Sequence, residues 1–215
     1  MITSDGSTTI HLPEWDENYH STHGAIQESK HVFIAKGFDK IDLSEISILE
    51  IGFGTGLNCF VTFLKAIEKG KSINYVGVEA YPVSEEEVEK LNYVSELKAE
   101  QQQVIFDEIH NCSWEKKHHI SLDFSLTKRK QFFNEIDDEN QFDLVYFDAF
   151  GAEHQPELWT VDIFKKMYNA LKLNGILVTY SAKGSVRRAM QEVGFSVERI
   201  DGPPGKREML RSTKL

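Results

Sequence analysis

The sequence predicts an α/β fold: a mostly parallel, Rossmann-like sheet with helices on both faces and an antiparallel hairpin at its C-terminal end. Short apolar runs alternate with amphipathic segments along most of the chain, as in sheets built from strand–helix–strand units. The first of these units has a glycine-rich turn between its strand and its helix, which is typical of doubly wound sheets. Near the C-terminus, two strand-like runs flank the turn sequence DGPPG and predict the hairpin.

The first half of the chain holds the unit with the glycine-rich turn. Residues 25–38 show helical spacing of apolar side chains and predict a helix closed by Gly37. Residues 46–53 and 73–80 are short apolar runs, which predict buried strands. The amphipathic residues 57–70 between them predict a helix, and the resulting crossover should be right-handed.

The second half continues the alternation of strands and helices. In order, we predict solvated helices at 84–109, a strand at 118–127, a buried strand at 141–150, a helix at 160–175, a strand at 175–181, a helix at 186–194, and hairpin strands at 195–200 and 206–212.

Length and composition are those of an ordinary globular protein. The chain has 215 residues, 40% of them apolar and 27% charged, so we expect one domain over residues 1–215. No apolar run approaches the about 20 residues of a transmembrane helix, and the polar N-terminus lacks the pattern of a secretory signal. Two cysteines without a CxxC pair argue against a disulfide framework and a metal site. We therefore expect a cytoplasmic protein without metal or membrane partner.

Charge is unevenly distributed along the chain. The net charge is −10, yet residues 151–215 carry 11 Lys and Arg against 7 Asp and Glu. The acidic total argues against a protein that binds nucleic acid through bulk charge, and we expect no DNA partner. The basic C-terminal third is compatible either with a phosphate-facing surface or with ordinary surface variation.

The glycine-rich turn is the first candidate site. Its spacing is Gly-x-Gly-x-Gly, which differs from the dinucleotide fingerprint, and the acid before it suits a cationic ligand better than a pyrophosphate. The turn is similar to motif I of class I methyltransferases, in which S-adenosylmethionine lies against the loop. The alternative is a glycine turn without a ligand. The candidate cofactor-binding residues here are Glu50, Gly52, Phe53, Gly54, Gly56 and Asn58.

Glu79 is the second candidate. It ends the predicted strand at 73–80, where an acid in nucleoside-binding folds accepts hydrogen bonds from ribose hydroxyls. Taken alone, such an acid is more often simply solvated. Beside the glycine-rich turn, it supports a nucleoside-containing cofactor.

Five segments resemble one family across nearly the whole chain. They are YHSTHGAIQESKHVFI (19–34), LEIGFGTGLN (49–58), YFDAF…QPELWT (146–160), TYSAKGSVRR (179–188) and GPPGKREML (202–210). This set resembles the tRNA 5-methylaminomethyl-2-thiouridine methyltransferases, which occur alone and as the methyltransferase half of a bifunctional enzyme. The resemblance implies a class I S-adenosylmethionine-dependent fold and methyl transfer to the amine of 5-aminomethyl-2-thiouridine at the tRNA wobble position. It implies no flavin, because the chain has no room for the oxidase half.

The sequence also departs from the expected pattern. Many class I methyltransferases carry an acid after the third strand that contacts the adenine amino group, whereas residues 124–134 contain none. The family often has a proline shortly after DAF, and here the stretch reads GAEHQP. The adenine contacts and the shape of the loop over the site are therefore open.

Asp148 is the candidate catalytic residue. It ends the predicted strand at 141–150 in the segment DAF, which resembles the acid or amide, Pro, Pro, aromatic motif of other amino methyltransferases. By analogy, Asp148 would orient the amine and take its proton; the alternative is a helix cap. Phe150 or Trp159 could stack on the uracil, as aromatic side chains do with unstacked RNA bases. For Trp159 the alternative is a place in the core.

The remaining candidates lie at the two ends of the chain. We expect residues 1–45 to form an extension that closes over the substrate or the methionine end of the cofactor, with Tyr19 and Ser21 on the substrate and Glu28 on the cofactor; the alternative is packing. The candidate phosphate contacts are Lys183, Arg187, Arg188, Lys206 and Arg207, and the alternative is a solvated helix and turn.

Three other functions stay open on the sequence alone. One is a class I methyltransferase that acts on a small amine or a protein, which the acidic net charge favours. Another is a non-catalytic, S-adenosylmethionine-dependent RNA-binding module, which the retention of Asp148 disfavours. A nicotinamide oxidoreductase is disfavoured by the glycine spacing. The sequence predicts no particular oligomeric state.

Overall fold

A computed structural model describes residues 1–12 and 17–215 of the chain, and an eight-stranded sheet forms the centre of this described part. The strands of the sheet are β3 (Glu45–Ile51), β4 (Ser72–Val78), β5 (Lys117–Ser121), β6 (Phe124–Arg129), β7 (Phe142–Phe147), β8 (Leu171–Thr179), β9 (Phe195–Asp201) and β10 (Glu208–Lys214). Two short strands, β1 (His11–Leu12) and β2 (Glu17–Asn18), pair separately near the N-terminus.

The helices connect these strands and cover both faces of the sheet. They are α1 (Ala25–Ser29), α2 (Leu57–Lys69), α3 (Glu85–Val88), α4 (Tyr93–Glu96), α5 (Gln103–Asn111), α6 (Val161–Ala170) and α7 (Gly184–Val193). A π-helical turn (Lys30–Ala35) continues α1, and 3-10 turns lie at Phe38–Lys40, Glu100–Gln102, Phe133–Glu135 and Pro156–Trp159. None of the helices within the described residues is long and apolar enough to cross a membrane.

The strand order explains why the central strands are apolar throughout. The order is β5-β6-β4-β3-β7-β8-β10-β9, with β6, β4, β3, β7 and β8 parallel and with antiparallel strands at both edges. A parallel strand with helices on both sides has no solvent-facing side, so it reads as a continuous apolar run. All six residues of β7 are accordingly buried. The fold predicted from the sequence is confirmed, including the C-terminal hairpin.

Two predicted elements were wrong in their extent. The helix predicted at 160–175 ends at Ala170, because Leu171 is buried and already pairs with Phe142 as the first residue of β8. The prediction was too long because the helical spacing of apolar residues continues into this strand, which bends where Asn174 has a positive φ of 64°. The single strand predicted at 118–127 is a hairpin of β5 and β6, whose turn contains the exposed Leu122.

The first part of the N-terminal extension packs on α1 and α4. The Asp5 carboxylate accepts a hydrogen bond from the Gln27 backbone N–H at 2.9 Å, near the start of α1. The Asn92 side-chain oxygen accepts one from the Thr8 backbone N–H at 2.8 Å, at the start of α4. The extension predicted over residues 1–45 therefore packs against the body of the protein, although its residues 13–16 lie outside the described residues.

The parallel order brings four chain segments to one edge of the sheet. Strands β4, β3, β7 and β8 are neighbours, and their carboxyl ends lie side by side. They are followed by Glu79, Gly52, Asp148 and Tyr180, respectively. Ligands of open α/β sheets bind at this edge, so the topology places the predicted cofactor loop beside the predicted catalytic acid.

Candidate active site

A cleft of about 1240 Å³ lies at this edge of the sheet. Its walls come from the glycine-rich turn, the segments after β4, β7 and β8, the N-terminal residues around 18–29, and the turn between β9 and β10. Typical small-molecule sites occupy about 300–1,000 Å³. The cleft is therefore large enough for a cofactor and part of a second ligand.

The glycine-rich turn lies against the segment that carries Asp148. Gly52 has a φ of +86°, and a Cβ there would lie 2.5 Å from the backbone oxygen of Asp148. Only glycine fits a position with both a positive φ and this close approach. Gly52, Phe53 and Gly54 line the cleft. Gly56 lies at the N-cap of α2, between the lining residues Thr55 and Leu57, and its contact with the cofactor stays a prediction.

Glu79 links the end of β4 to the glycine-rich turn. One of its carboxylate oxygens accepts the backbone N–H of Gly54, and the other accepts that of Tyr81, both at 3.0 Å. Each carboxylate oxygen can accept a further hydrogen bond. Burial raises the pKa of Glu79. The carboxyl lines the cleft beside the turn, as a hydroxyl-binding acid must, and its contact with ribose stays a prediction.

Asn58 bridges two acids at the bottom of the cleft. Its side-chain N–H groups donate to Asp148 Oδ2 at 2.8 Å and to Glu50 Oε1 at 2.9 Å. Its oxygen accepts a hydrogen bond of 2.6 Å from the Ser29 hydroxyl. Because all of its polar atoms are engaged, the amide has one orientation, and it holds the Asp148 carboxyl in place.

Glu50 is completely buried behind this amide. It accepts hydrogen bonds of 2.9 Å from Asn58 and from the Tyr75 hydroxyl, and it does not line the cleft. Burial raises the pKa of Glu50 well above its usual range. The Glu50 carboxylate therefore faces Asn58 and Tyr75 behind the wall of the cleft, and its contact with the cofactor stays a prediction.

Asp148 lines the cleft and has an unusual proton affinity. Burial, together with the negative charge of Glu28, raises the pKa of Asp148 to about 7, although the bond from Asn58 and the charge of Lys206 act in the opposite direction. A carboxyl with a pKa near neutrality can accept a proton from a bound group and release it again. This is the chemistry that an amine nucleophile requires.

The N-terminal segment covers one side of the cleft. The ring of Tyr19 lies beside Gly54 and meets Phe150 edge to face, with 5.1 Å between the ring centroids. Burial raises the pKa of Tyr19 to about 12. Glu28 accepts a hydrogen bond of 3.2 Å from the backbone N–H of Ser21. The structure thus brings Tyr19, Ser21, Glu28 and Phe150 into the cleft, while their ligand contacts stay predictions.

Trp159 lies in the core and does not line the cleft. Its side chain is 6% exposed, its indole N–H donates to the Phe150 backbone oxygen at 2.7 Å, and its ring packs against Phe147. The prediction that Trp159 stacks on the substrate base is wrong, and the alternative of a core position is correct. Trp159 supports the segment that carries Phe150.

The five candidate phosphate contacts differ in their partners and exposure. Lys206 lines the cleft and pairs with Glu28 at 2.9 Å, and its contact with phosphate stays a prediction. Lys183 pairs with Glu153. Arg188 and Arg207 are exposed and Arg187 is half-buried, and their contacts with phosphate stay predictions.

Sequence reasoning missed three residues of the site. Tyr75 and Ser29 hold Glu50 and Asn58, and both lie inside elements whose apolar spacing gave no reason to select a polar atom. Tyr180 lines the cleft at the end of β8, and its hydroxyl donates to the Ala149 backbone oxygen at 2.8 Å. Its position directly after a central parallel strand was a usable signal, as it was for Asp148 and Glu79.

A comparison with protein families identifies the chemistry of this cleft. The model of a family described as S-adenosyl-L-methionine-dependent methyltransferase matches residues 89–215, which is more than half of the chain. The chain belongs to this family. The cofactor prediction is thereby confirmed, and a nicotinamide oxidoreductase is excluded.

Two curated relatives of this methyltransferase carry the same name. The tRNA 5-methylaminomethyl-2-thiouridine biosynthesis bifunctional protein MnmC of Idiomarina loihiensis is 28% identical over 214 residues, which cover 91% of this chain and 35% of the relative. The protein of the same name from Leptospira borgpetersenii is 28% identical over 232 residues, covering 98% and 34%. The resemblance found in the sequence is confirmed, and the chain spans about a third of the length of these relatives.

Solved structures show the same fold. A crystal structure of MNMC2 from Aquifex aeolicus matches with a TM-score of 0.75 and 24% identity, covering 98% of this chain and 68% of that one. Spermidine synthase from Thermotoga maritima matches with a TM-score of 0.53 and 12% identity, covering 97% and 68%. Both likenesses concern the arrangement of strands and helices.

The residues of the cleft fit S-adenosylmethionine. A Cβ at Gly52 would lie 2.5 Å from the Asp148 backbone oxygen, so glycine there lets the turn lie directly against the segment of Asp148 in the wall of the cleft. The Glu79 carboxylate lies beside the turn, where it suits hydroxyl groups, and Glu28 is an acid of the cleft wall that suits a cationic amino group.

Proposed function

We propose that this methyltransferase transfers a methyl group from S-adenosylmethionine to the primary amine of 5-aminomethyl-2-thiouridine at the wobble position of tRNA. The observation that carries the proposal is the Asp148 carboxyl, with a pKa of about 7, held in the cleft beside the glycine-rich turn. An ammonium must lose a proton before its nitrogen can attack, and in this proposal the Asp148 carboxyl accepts that proton. The shared name of the relatives over more than nine-tenths of the chain supports the choice of substrate.

The chain's own residues would perform binding and proton transfer. S-adenosylmethionine supplies an electrophilic methyl group when bound. Gly52, Gly54 and Glu79 would hold the cofactor, while Asp148 would orient the amine and accept its proton. Reactions of this kind depend mainly on positioning, which contributes up to about 7–11 kcal/mol. The Ser29–Asn58 pair fixes the acid in advance, so less reorganisation is needed when the ligands bind.

The substrate base would enter beside the aromatic side chains of the cleft. Tyr19 and Phe150 present ring surfaces there, and unstacked RNA bases are held by such rings. Exposed Arg188 and Arg207 would contact phosphates of the anticodon arm. We further propose that residues 1–45 act as an extension of one methyltransferase domain that covers the base and the cofactor. We also propose that the protein acts in the cytoplasm, where it would meet its tRNA substrate.

Nucleoside analysis of methylated tRNA tests the proposed function. The protein is incubated with labelled S-adenosylmethionine and tRNA from a strain that lacks this enzyme, and Asp148→Asn serves as the control. Label in 5-methylaminomethyl-2-thiouridine, absent with the control, is the expected result. Label that appears only with small amines or proteins would overturn the tRNA substrate. Absence of any transfer, with S-adenosylhomocysteine still bound, would favour a non-catalytic RNA-binding module.

A further inference from the structure

Lys206 lies on the turn between β9 and β10, and its ammonium group occupies a specific position in the cleft. Its Nζ is 2.9 Å from Glu28 Oε1 and 3.9 Å from the centroid of the Tyr180 ring. A carboxylate and the face of an aromatic ring are the two groups that proteins use together to recognise an ammonium ion. The arrangement is therefore chemically that of an ammonium-binding subsite.

Both partners of Lys206 are held by other parts of the protein. The second oxygen of Glu28 accepts the backbone N–H of Ser21 at 3.2 Å. The Tyr180 hydroxyl donates to the Ala149 backbone oxygen at 2.8 Å, next to Asp148. These bonds do not involve Lys206, so the carboxylate and the ring keep their positions when the lysine leaves.

Lys206 itself is suited to leave. Its side chain is 37% exposed, against 14% for that of Glu28, and it lies on a turn instead of on a helix or strand. A lysine has a flexible four-carbon stem and makes no bidentate contact with a carboxylate. A competing ammonium group can therefore replace it without rearrangement of the sheet.

The subsite is also next to the reacting groups. Glu28, Tyr180 and Lys206 line the same cleft as Asp148, and the charges of Glu28 and Lys206 act on the Asp148 carboxyl in opposite directions. We propose that Glu28 and Tyr180 form a subsite for a primary ammonium group of a bound ligand, and that Lys206 occupies it in the ligand-free protein as an internal substitute that the ligand displaces. The candidate ligands follow from the proposed function: the amino-acid end of the cofactor and the aminomethyl group of the substrate both carry this group.

Binding measurements on two variants test whether a ligand displaces Lys206, because the two substitutions should change the affinity in opposite directions. Calorimetry compares S-adenosylhomocysteine with its desamino analogue, and 5-aminomethyluridine with 5-hydroxymethyluridine. Glu28→Gln should weaken binding of the cationic probe about tenfold or more, because a charge-assisted bond is lost. Lys206→Met should strengthen binding of that probe, because the internal competitor is gone. Neither variant should affect the neutral analogue, and the pair of probes that shows the pattern identifies the source of the ammonium.

A matched control separates displacement from bulk charge. Lys65→Met also removes one positive charge from a lysine paired with an acid, Glu68, but this pair lies outside the cleft and does not involve Glu28 or Tyr180. It should leave all four affinities unchanged. If Lys206→Met and Glu28→Gln both weaken binding, the Lys206–Glu28 ion pair supports the binding site instead of competing with the ligand. The proposal is then overturned. It is equally overturned if neither variant discriminates the cationic probe from its neutral analogue.

The binding experiment does not depend on methylation of tRNA. If S-adenosylhomocysteine shows the expected pattern but the protein methylates no tRNA, the subsite is supported and the proposed substrate is contradicted. Normal tRNA methylation without the pattern would remove the subsite alone. Melting temperatures of the three variants confirm that each is folded.

Discussion

The side-chain amide of Asn58 lies between two acids, with one N–H on Asp148 at 2.8 Å and the other on Glu50 at 2.9 Å. An amide that donates to both acids cannot rotate without leaving one of them unpaired in the interior. The completely buried Glu50 therefore fixes the orientation of Asn58, and Asn58 fixes the carboxyl that faces the cleft. The predicted cofactor acid is thus a positioning residue for the predicted catalytic acid.

Asp148→Asn should abolish most of the turnover and leave cofactor binding intact. The new amide oxygen can still accept the hydrogen bond from Asn58, so the site keeps its geometry. It cannot accept a proton, and loss of general base catalysis lowers rates by about 10²–10⁴-fold. Single-turnover methylation of tRNA and calorimetry with S-adenosylhomocysteine measure the two effects. A rate near that of the wild type would show that Asp148 is not the proton acceptor.

The same substitution should stabilise the ligand-free protein above neutral pH. Burial and the charge of Glu28 raise the pKa of Asp148 from 3.8 to about 7. Between these values the folded state holds a proton that the unfolded state has released, so the contribution of Asp148 to the free energy of unfolding falls as pH rises. Each pKa unit changes the free energy of unfolding by about 1.4 kcal/mol, and the destabilisation by ionised Asp148 is complete above pH 7.

Thermal melts at pH 5 and pH 8 check this sign. The melting temperature of Asp148→Asn should exceed that of the wild type by more at pH 8 than at pH 5. Asp143→Asn is the control, since this buried carboxylate pairs with Lys172 and accepts the Ser47 backbone N–H at 2.8 Å. It should lower the melting temperature at both pH values. An Asp148→Asn difference that is the same at both pH values would contradict the assigned pKa.

Asn58→Ala should shift the pH dependence of turnover toward higher pH. The wild-type rate should rise with pH through about 7, as Asp148 loses its proton. The hydrogen bond from Asn58 lowers the pKa of Asp148, so its removal raises this pKa further and moves the midpoint of the profile upward. Ser29→Ala is the milder control, because it removes only the bond to the Asn58 oxygen and leaves both acids paired. Equal midpoints in Asn58→Ala and the wild type would assign Asn58 a structural role only.

The sequence allowed the central part of the fold to be predicted because buried parallel strands leave a direct signal. Their apolar runs located β3, β4 and β7 within a few residues, and the residues after them, Glu79 and Asp148, lie in the cleft. The position of a residue at a strand end is a local property, which a sequence pattern can show.

Side-chain direction depends on contacts between distant segments, and here sequence reasoning failed. Glu50 precedes the glycine-rich turn as a cofactor acid should, yet Tyr75 and Asn58 draw its carboxylate into the interior. Trp159 faces the core because Phe147 and the Phe150 backbone oxygen provide partners there. Lys206 enters the cleft because Glu28, 178 residues earlier, lies opposite it. No spacing along the chain encodes the directions of these three side chains.

Gly52→Ala should damage the cofactor site far more than Gly70→Ala. Both glycines have a positive φ, +86° and +60°, so both substitutions carry a similar backbone penalty of about 1–2 kcal/mol. A Cβ at Gly52 would also lie 2.5 Å from the Asp148 backbone oxygen, whereas nothing lies within 4 Å of one at Gly70. Gly52→Ala must therefore displace the turn or Asp148. Calorimetry should show loss of S-adenosylhomocysteine binding in Gly52→Ala only, and equal affinities would contradict the role of the close approach.

Removal of exposed arginines at the C-terminal end should weaken tRNA binding and reduce its salt dependence. Each phosphate contact releases condensed counterions, and its loss lowers the slope of log affinity against log salt by about 0.7 for a single strand. Arg188→Ala with Arg207→Ala should therefore reduce the slope by about 1.4 if both side chains contact phosphate.

The matched control removes two positive charges at a distance from the cleft. Lys65 and Lys69 lie in the last turns of α2, about 12 and 18 Å along the helix from Leu57, which lines the cleft. Lys65→Ala with Lys69→Ala changes the net charge by the same amount as the arginine pair. If the two double variants reduce the slope equally, tRNA responds to the overall charge of the protein, and Arg188 and Arg207 make no specific contact. A reduction confined to the arginine pair would show that this acidic protein binds RNA through specific contacts of Arg188 and Arg207.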